Sequence, residues 1–361
     1  MSYVMTSHGS KLEELQLLVH SMQQLRVNEN IEHLYDTTLK QFSRVVQANQ
    51  VALILANEEQ PYFYYWQHDY ESAVKLPEAL FLFNQYQHVQ TATIVANVQY
   101  ENNDVSPNSN ISSMLRIPFQ QDGEVAGAII AFHINNEQFT QSQLEIGEIV
   151  ANQAYDAIQN SLKLQALNQM FLTMIRTLTK TLDARDPYTA GHSERVAQYA
   201  IAIGEKLNLQ ESCLNNLYKA AILHDIGKIG IADEVLLKHD SLTEQEFNLV
   251  KEHTNIGAAI LETLEPKSSM KYAVQTARWH HERMDGSGYP DQLKGDAIPI
   301  FARIVGVADA FDAMTSTRPY SEALSFEEAK NELIRCKGTV FDEEIVNTFV
   351  EILHKQYPDR F

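Results

Sequence analysis

The run His280-His281-Glu282-Arg283-Met284-Asp285-Gly286-Ser287-Gly288-Tyr289-Pro290 places two adjacent imidazoles just ahead of a glycine-rich turn. Neighbouring side chains cannot share a strand face and rarely share a helix face. A histidine doublet aimed at one place therefore points to a metal pair met from a helix end. Taken alone, the doublet is equally well a tolerated surface pair. The rest of the second half shifts that balance. His192 lies in Asp-Pro-Tyr-Thr-Ala-Gly-His-Ser-Glu-Arg, and His224-Asp225 in Ala-Ile-Leu-His-Asp-Ile-Gly-Lys. His253 lies in Lys-Glu-His-Thr-Asn-Ile-Gly, and Asp309 in Val-Gly-Val-Ala-Asp-Ala-Phe-Asp. Each segment is apolar and helix-compatible, and a His or Asp on the buried side of such a helix is costly unless paired or metal-bound. Any one of these histidines is more simply a satisfied core residue; all five beside two carboxylates are not. The set is borderline-hard and free of thiolate, which suits iron, manganese or zinc.

These motifs resemble the HD-GYP family, a branch of the HD phosphohydrolase superfamily, over roughly Thr181 to Phe361. The superfamily pattern H…HD…D is met by His192, His224-Asp225 and Asp309. The subfamily additions are met by His253, His280-His281 and the Asp-Gly-Ser-Gly-Tyr-Pro run ending at Pro290. The resemblance implies an all-α catalytic domain that holds two or three metals, commonly iron or manganese, and hydrolyses cyclic di-GMP to linear pGpG or GMP. It fails at Tyr188, where members with a third metal carry an acidic residue; the nearest carboxylates here are Asp183 and Asp186. Two ions are therefore expected and a third is not. Ser321 stands where similar sequences often carry a basic residue.

Within that resemblance, His192, His224, Asp225 and Asp309 are expected on one ion, and Asp225, His253, His280 and His281 on the other. Asp225 is the expected bridge. Two metals about 3.5–4 Å apart clamp a phosphoryl oxygen and lower the pKa of a shared water, whose hydroxide attacks phosphorus in line with the leaving oxygen. Lys228, at i+4 from His224, would project onto the same helix face and neutralise charge on the non-bridging oxygens. Arg318 has the planar fork for a second phosphate or a guanine edge, with Tyr320 beside it. The plainer readings are a solvated helix end for Lys228 and a surface ion pair for Arg318. Gly286, Gly288 and Pro290 shape a turn rather than react. Tyr289 packs or stacks on a base, packing being the simpler reading; the resemblance also implies that such a loop can dock a diguanylate-cyclase partner.

The 361-residue chain is long enough for two cores. It is 44% hydrophobic and 21% charged, as soluble globular chains are. Its formal net charge of -19 argues against polymeric nucleic acid, which needs a basic footprint. A small anionic nucleotide stays open, because bound metals reverse the local field. No apolar run approaches the ~18 residues that span a bilayer, and Cys213 and Cys336 build no disulfide framework. A cytoplasmic location is expected.

The first part carries strand punctuation instead. Ile31 to Val46 reads as an amphipathic helix, and Gln50 to Ala56, Tyr62 to Trp66, Ser113 to Phe119 and Glu124 to Phe132 as strands. Asn102 to Asn110 reads as a loop and Asp122-Gly123 as a hairpin turn. This order resembles the end of a GAF sensory domain over about residues 30–160. The likeness leaves its small-molecule ligand unknown. A thioether-linked bilin is excluded by the lack of cysteine, and a lone His133 at a strand end is far more often exposed than a haem ligand. From Ser142 a helix runs to about residue 186, with Leu164, Leu167, Phe171, Met174, Leu178 and Leu182 three and four apart. That spacing predicts a dimer coiled coil, against the alternative of a helix packed on its own domain. The expected architecture is an N-terminal helix (1–29), an α+β GAF-like domain (30–160), a long linker helix (142–186) and an all-α HD-GYP domain (181–361). The expected protein is a homodimeric, GAF-regulated cyclic di-GMP phosphodiesterase. The rivals are a phosphodiesterase for cyclic GMP-AMP, a non-catalytic cyclic-dinucleotide receptor and a di-iron redox sensor.

Overall fold

The computed structural model describes residues 16–27, 30–55, 62–67, 74–75, 90–96, 111–134, 136–185, 191–238, 240–317 and 323–357. They divide into two units, Met1–Asn168 and Gln169–Phe361. In the first unit, a helical run at 16–24 precedes α1 (Ile31–Val46), capped by the Asn30 side chain. Six strands follow: β1 (Gln50–Leu55), β2 (Tyr62–Gln67), β3 (Val74–Lys75), β4 (Thr93–Ala96), β5 (Ile111–Gln121) and β6 (Glu124–Ile134). They form one antiparallel sheet in the order β3-β2-β1-β6-β5-β4.

Period-2 alternation sends Val51, Leu53 and Leu55 to one face, where they pack with α1, and Ala52 and Ile54 to the other. Asp122 and Gly123 both take positive φ, 53° and 86°. That is the twist a two-residue hairpin needs, and it fixes the β5–β6 register. The expected strands lie within a few residues of those observed; the Asn102 to Asn110 segment lies outside the described residues. His133 differs from its expectation. It is buried, stacks on Phe139 at 4.0 Å and lies 3.3 Å from Asn49 Oδ1.

Helix α2 (Gln141–Arg185) runs 45 residues. Its first part buries Val150, Ala151, Ala154 and Ile158 in the core of the first unit. Of the predicted seam, Leu164, Leu167, Met174 and Leu178 are exposed. Leu182, however, sits with Ile175 in the core of the second unit, and Phe171 packs against it. Those two positions serve the chain's own core rather than a partner helix.

The second unit is helical: α3 (His192–Lys206), α4 (Glu211–Ile222), a 3-10 segment (Ile226–Gly230), α5 (Glu244–Lys251), α6 (His253–Leu261), α7 (Lys267–Trp279), α8 (Ile300–Thr315), α9 (Phe326–Cys336) and α10 (Glu343–Gln356). Helix α8 is the hub. It buries Phe301, Ile304, Val305, Val307, Ala308 and Phe311 against α3, α4 and α10. Among the described residues, no helix is long and apolar enough to cross a membrane.

Candidate metal centre

Helix ends deliver most of the predicted ligands. His192 opens α3 and His253 opens α6, while His280-His281 follow the last residue of α7. His224-Asp225 lie in the turn between α4 and the 3-10 segment, and Asp309 lies within α8. A side chain at a helix end can aim along the axis, which is how several imidazoles converge without filling one another's space. The helix expected to continue from His224 to Lys228 is absent. The chain leaves α-geometry after Ile222, and Lys228 sits on the 3-10 segment. There its Nζ lies 2.6 Å from Asp225 Oδ2, an i,i+3 pair.

Asp225 stands between two groups of nitrogens. Its Oδ1 is 3.3 Å from His253 Nε2 and 3.8 Å from His280 Nε2. Its Oδ2 is 3.3 Å from His224 Nε2 and 3.7 Å from His192 Nε2. Asp309 Oδ1 joins the second group at 3.3 Å from His192 Nε2 and 4.0 Å from His224 Nε2. His281 joins the first: one ligand atom from each of Asp225, His253, His280 and His281 lies within 4.8 Å of the others. Every expected ligand is thus in one place, and all but Asp309 and His281 are buried.

The opposite edges of the rings show what that place is for. His224 Nδ1 donates to the Ala221 carbonyl at 2.7 Å, His253 Nδ1 to Val250 at 2.7 Å and His280 Nδ1 to Thr276 at 2.9 Å. With the proton on Nδ1, each neutral ring presents an Nε2 lone pair to the centre. His253 and His280 point these lone pairs at each other across 3.5 Å. His224 Nε2 is buried with no hydrogen-bond partner. A cation between such atoms removes both problems, so the donor set fits divalent metal.

The electrostatics agree. Burial, then the charges of neighbouring imidazoles, pushes His281 down to about 3. Burial likewise depresses His253 and His280, which keeps all three neutral, as ligands must be. Around His192 burial also acts downward, but hydrogen bonds to Asp225, Asp309 and Asp312 win and hold it well above the ordinary histidine value. Three carboxylates at one imidazole, two of them buried, are a demand for positive charge.

Asp312 was missed in the sequence, although it stands one helical turn after Asp309. Its Oδ2 accepts from His192 Nδ1 at 2.7 Å, and Arg195 Nε donates to its Oδ1 at 2.6 Å. It fixes the ring so that Nε2 faces the centre. Asp312→Ala is expected to weaken metal binding about 10- to 100-fold, the usual cost of losing such a partner, with Asp312→Asn milder. Competition with a chelator measures it, and unchanged affinity in the alanine variant removes the role.

The glycine-rich turn is built around Glu282, also missed. Its buried carboxylate accepts from the Asp291 and Leu293 N–H groups at 2.7 and 3.0 Å. Gly286 has φ 83°, and the Tyr289–Pro290 bond is cis. A Cβ on Gly288 would lie 2.5 Å from the Arg283 nitrogen; the turn folds back onto the doublet too closely for any side chain. Tyr289 stacks on His281 at 4.8 Å, with Lys251 Nζ 5.6 Å from its ring centre. Arg318, Tyr320, Tyr188 and Asp186 lie outside the described residues.

Comparison with known proteins follows the same division. Residues 176–345 match the HD domain family and residues 30–158 the GAF domain family. A cyclic di-GMP phosphodiesterase of Thermotoga maritima is 41% identical over 186 residues, covering 52% of this chain and 50% of that protein. The cyclic di-GMP phosphodiesterase response regulator RpfG of Xanthomonas campestris is 43% identical over 173 residues, covering 48% and 46%. A 3'3'-cGAMP-specific phosphodiesterase 3 of Vibrio cholerae is 37% identical over 197 residues, covering 54% and 42%. The chain spans half or less of the length of these relatives. It joins a GAF domain to an HD domain, and the latter carries the HD-GYP signature.

Proposed function

We propose that the chain is a metal-dependent phosphodiesterase that hydrolyses cyclic di-GMP. The observation that carries this reading is Asp225, whose two oxygens face two separate groups of histidine nitrogens. His192, His224, Asp225 and Asp309 would hold one ion, and Asp225, His253, His280 and His281 the other, with iron or manganese suited to the set. When bound, two such ions polarise a phosphoryl oxygen and lower the pKa of water so that it attacks at neutral pH. The chain does the rest. Asp225 holds Lys228 Nζ at 2.6 Å, and both residues line a small cavity together with Asp183, His192 and Ser193. From there the ammonium can meet charge that builds on the phosphoryl oxygens. Arg318 and Tyr320 complete the substrate contacts in this reading, and Tyr289 supports His281 while offering its outer face.

The exposed Leu164, Leu167, Met174 and Leu178 would pair with a second copy, and the GAF domain would regulate turnover through a ligand of its own. A diguanylate cyclase is a fitting partner for the glycine-rich turn, and a cytoplasmic setting suits the two free cysteines.

The test is turnover of cyclic di-GMP and 3′,3′-cyclic GMP-AMP, side by side, by protein loaded anaerobically with iron(II) or manganese(II). Linear product is expected from cyclic di-GMP, more slowly from the mixed dinucleotide. Folded protein with two ions and no linear product from either ends the reading. Lys228→Ala is expected to keep its metal while kcat drops about 100-fold, as for loss of one charge-stabilising donor. A normal rate in that variant removes the assigned role.

A further inference from the structure

The final turn of α2 grips the backbone that carries the centre. Arg185 Nε donates to Asp233 Oδ1 at 2.8 Å, its Nη1 to the carbonyls of Lys228 and Ile229 at 3.1 and 3.0 Å, and its Nη2 to the Ile231 carbonyl. Those carbonyls belong to the end of the 3-10 segment that begins at Ile226 and carries Lys228, and to Ile231 just after it. Helical carbonyls at a terminus lack internal partners, and a guanidinium fork with five donors can meet several at once. Two residues earlier on the same turn, the buried Asp183 carboxylate accepts from the Gly191 N–H at 3.1 Å. Gly191 immediately precedes His192. Leu182 anchors the turn in the hydrophobic core, and Leu182 and Asp183 line the cavity that also contains His192, Asp225 and Lys228.

One helical turn therefore holds both backbone segments that bring His192 and the Asp225–Lys228 pair together. We infer that Asp183 and Arg185 are positioning residues. Through the Gly191 amide and the 228–231 carbonyls they set the spacing between the His192 side of the centre and Lys228. Neither need touch substrate. Because this turn ends the 45-residue helix, a small rotation or pull on it would slacken both segments together, giving the proposed regulation a physical route. An ordinary helix-end contact would instead lower stability and leave the spacing alone.

The inference rests on the phosphodiesterase reading for its rate readout only. Hydrogen exchange in the metal-loaded full chain tests it independently. In Arg185→Ala, the amides of residues 226–231 and 191–195 are expected to exchange at least about tenfold faster, while those of α8 keep their protection as the control for folding. The value of kcat is expected to fall about 10- to 100-fold with KM moving less than about threefold. Arg185→Lys should recover part of both effects. Asp183→Asn should keep wild-type exchange at 191–195, because its amide oxygen still accepts from Gly191, whereas Asp183→Ala should not. Asp233→Ala removes only the outer partner of Arg185 and should leave the rate unchanged. Wild-type exchange at 226–231 in Arg185→Ala overturns the inference, as does an unchanged kcat despite faster exchange. A wild-type chain that hydrolyses no cyclic dinucleotide sinks the functional reading, and the exchange data then decide the clamp alone.

Discussion

Asp225→Ala is expected to remove metal and turnover together. Each oxygen of this carboxylate faces its own group of nitrogens, so its loss takes one ligand from each proposed ion and the carboxylate shared between them. The remaining groups divide badly. On one side His253, His280 and His281 form a neutral imidazole set that burial keeps unprotonated. On the other, Asp309 is left to serve His192 and His224. Lys228 also loses the partner at 2.6 Å, and its ammonium then repels whatever cation remains. Content is expected to drop from two ions to one or fewer per chain, with hydrolysis lower by at least about 10⁴-fold, or some 5.5 kcal/mol of barrier. Metal analysis and turnover on the same preparation decide it. Two retained ions, or a measurable rate, would show that Asp225 is not the bridge. His281→Ala is the graded comparison: it touches one group only and should spare the ion beside His192.

Much of this centre is legible in the sequence because metal ligands are chemically conspicuous. Five histidines and two aspartates inside apolar segments violate burial rules unless something pairs them, and that violation can be seen without a fold. The strands of the first unit are legible for a different reason, since period-2 alternation and Asp122-Gly123 are local signals. What escaped depends on distance in sequence. Asp312 reads as one more helix carboxylate until His192, 120 residues away, is found against it. In the sequence Asp183 stands out only as a carboxylate near the Tyr188 position, and Arg185 not at all, until the 191 and 228–231 backbones close on them. Lys228 is expected on a helix shared with His224 and sits instead on the 3-10 segment, because propensity alone does not reveal that α4 ends at Ile222. The apolar seam of α2 failed at Phe171 and Leu182 for the same reason. Periodicity says which residues share a stripe and cannot say whose core the stripe enters.

Gly227→Ala is expected to be the most damaging single methyl group in the second unit. A Cβ at this position would stand 1.9 Å from the His253 carbonyl oxygen and 2.4 Å from the Gly257 nitrogen. Both obstacles are backbone, so no side chain can swing aside. Either the 3-10 segment or the first turn of α6 must retreat by more than an ångström. Overpacking a tight core costs about 1–3 kcal/mol when side chains can yield; with two backbones in contact the upper end is expected, about 3 kcal/mol or more. The retreat is also directional. Asp225 immediately precedes the 3-10 segment that carries Gly227 and Lys228, and His253 opens α6, so movement lengthens the 3.3 Å approach of His253 to Asp225 Oδ1. Affinity for the ion between them should fall with stability. Gly123→Ala is the contrast: its Cβ meets nothing within 4 Å, and only its φ of 86° opposes the change, a cost near 1 kcal/mol. Denaturant unfolding of the metal-free variants, followed by metal titration, measures both terms. If Gly227→Ala unfolds within about 0.5 kcal/mol of wild type, the two backbones are not pressed together, and the spacing that serves Asp225 must have another origin.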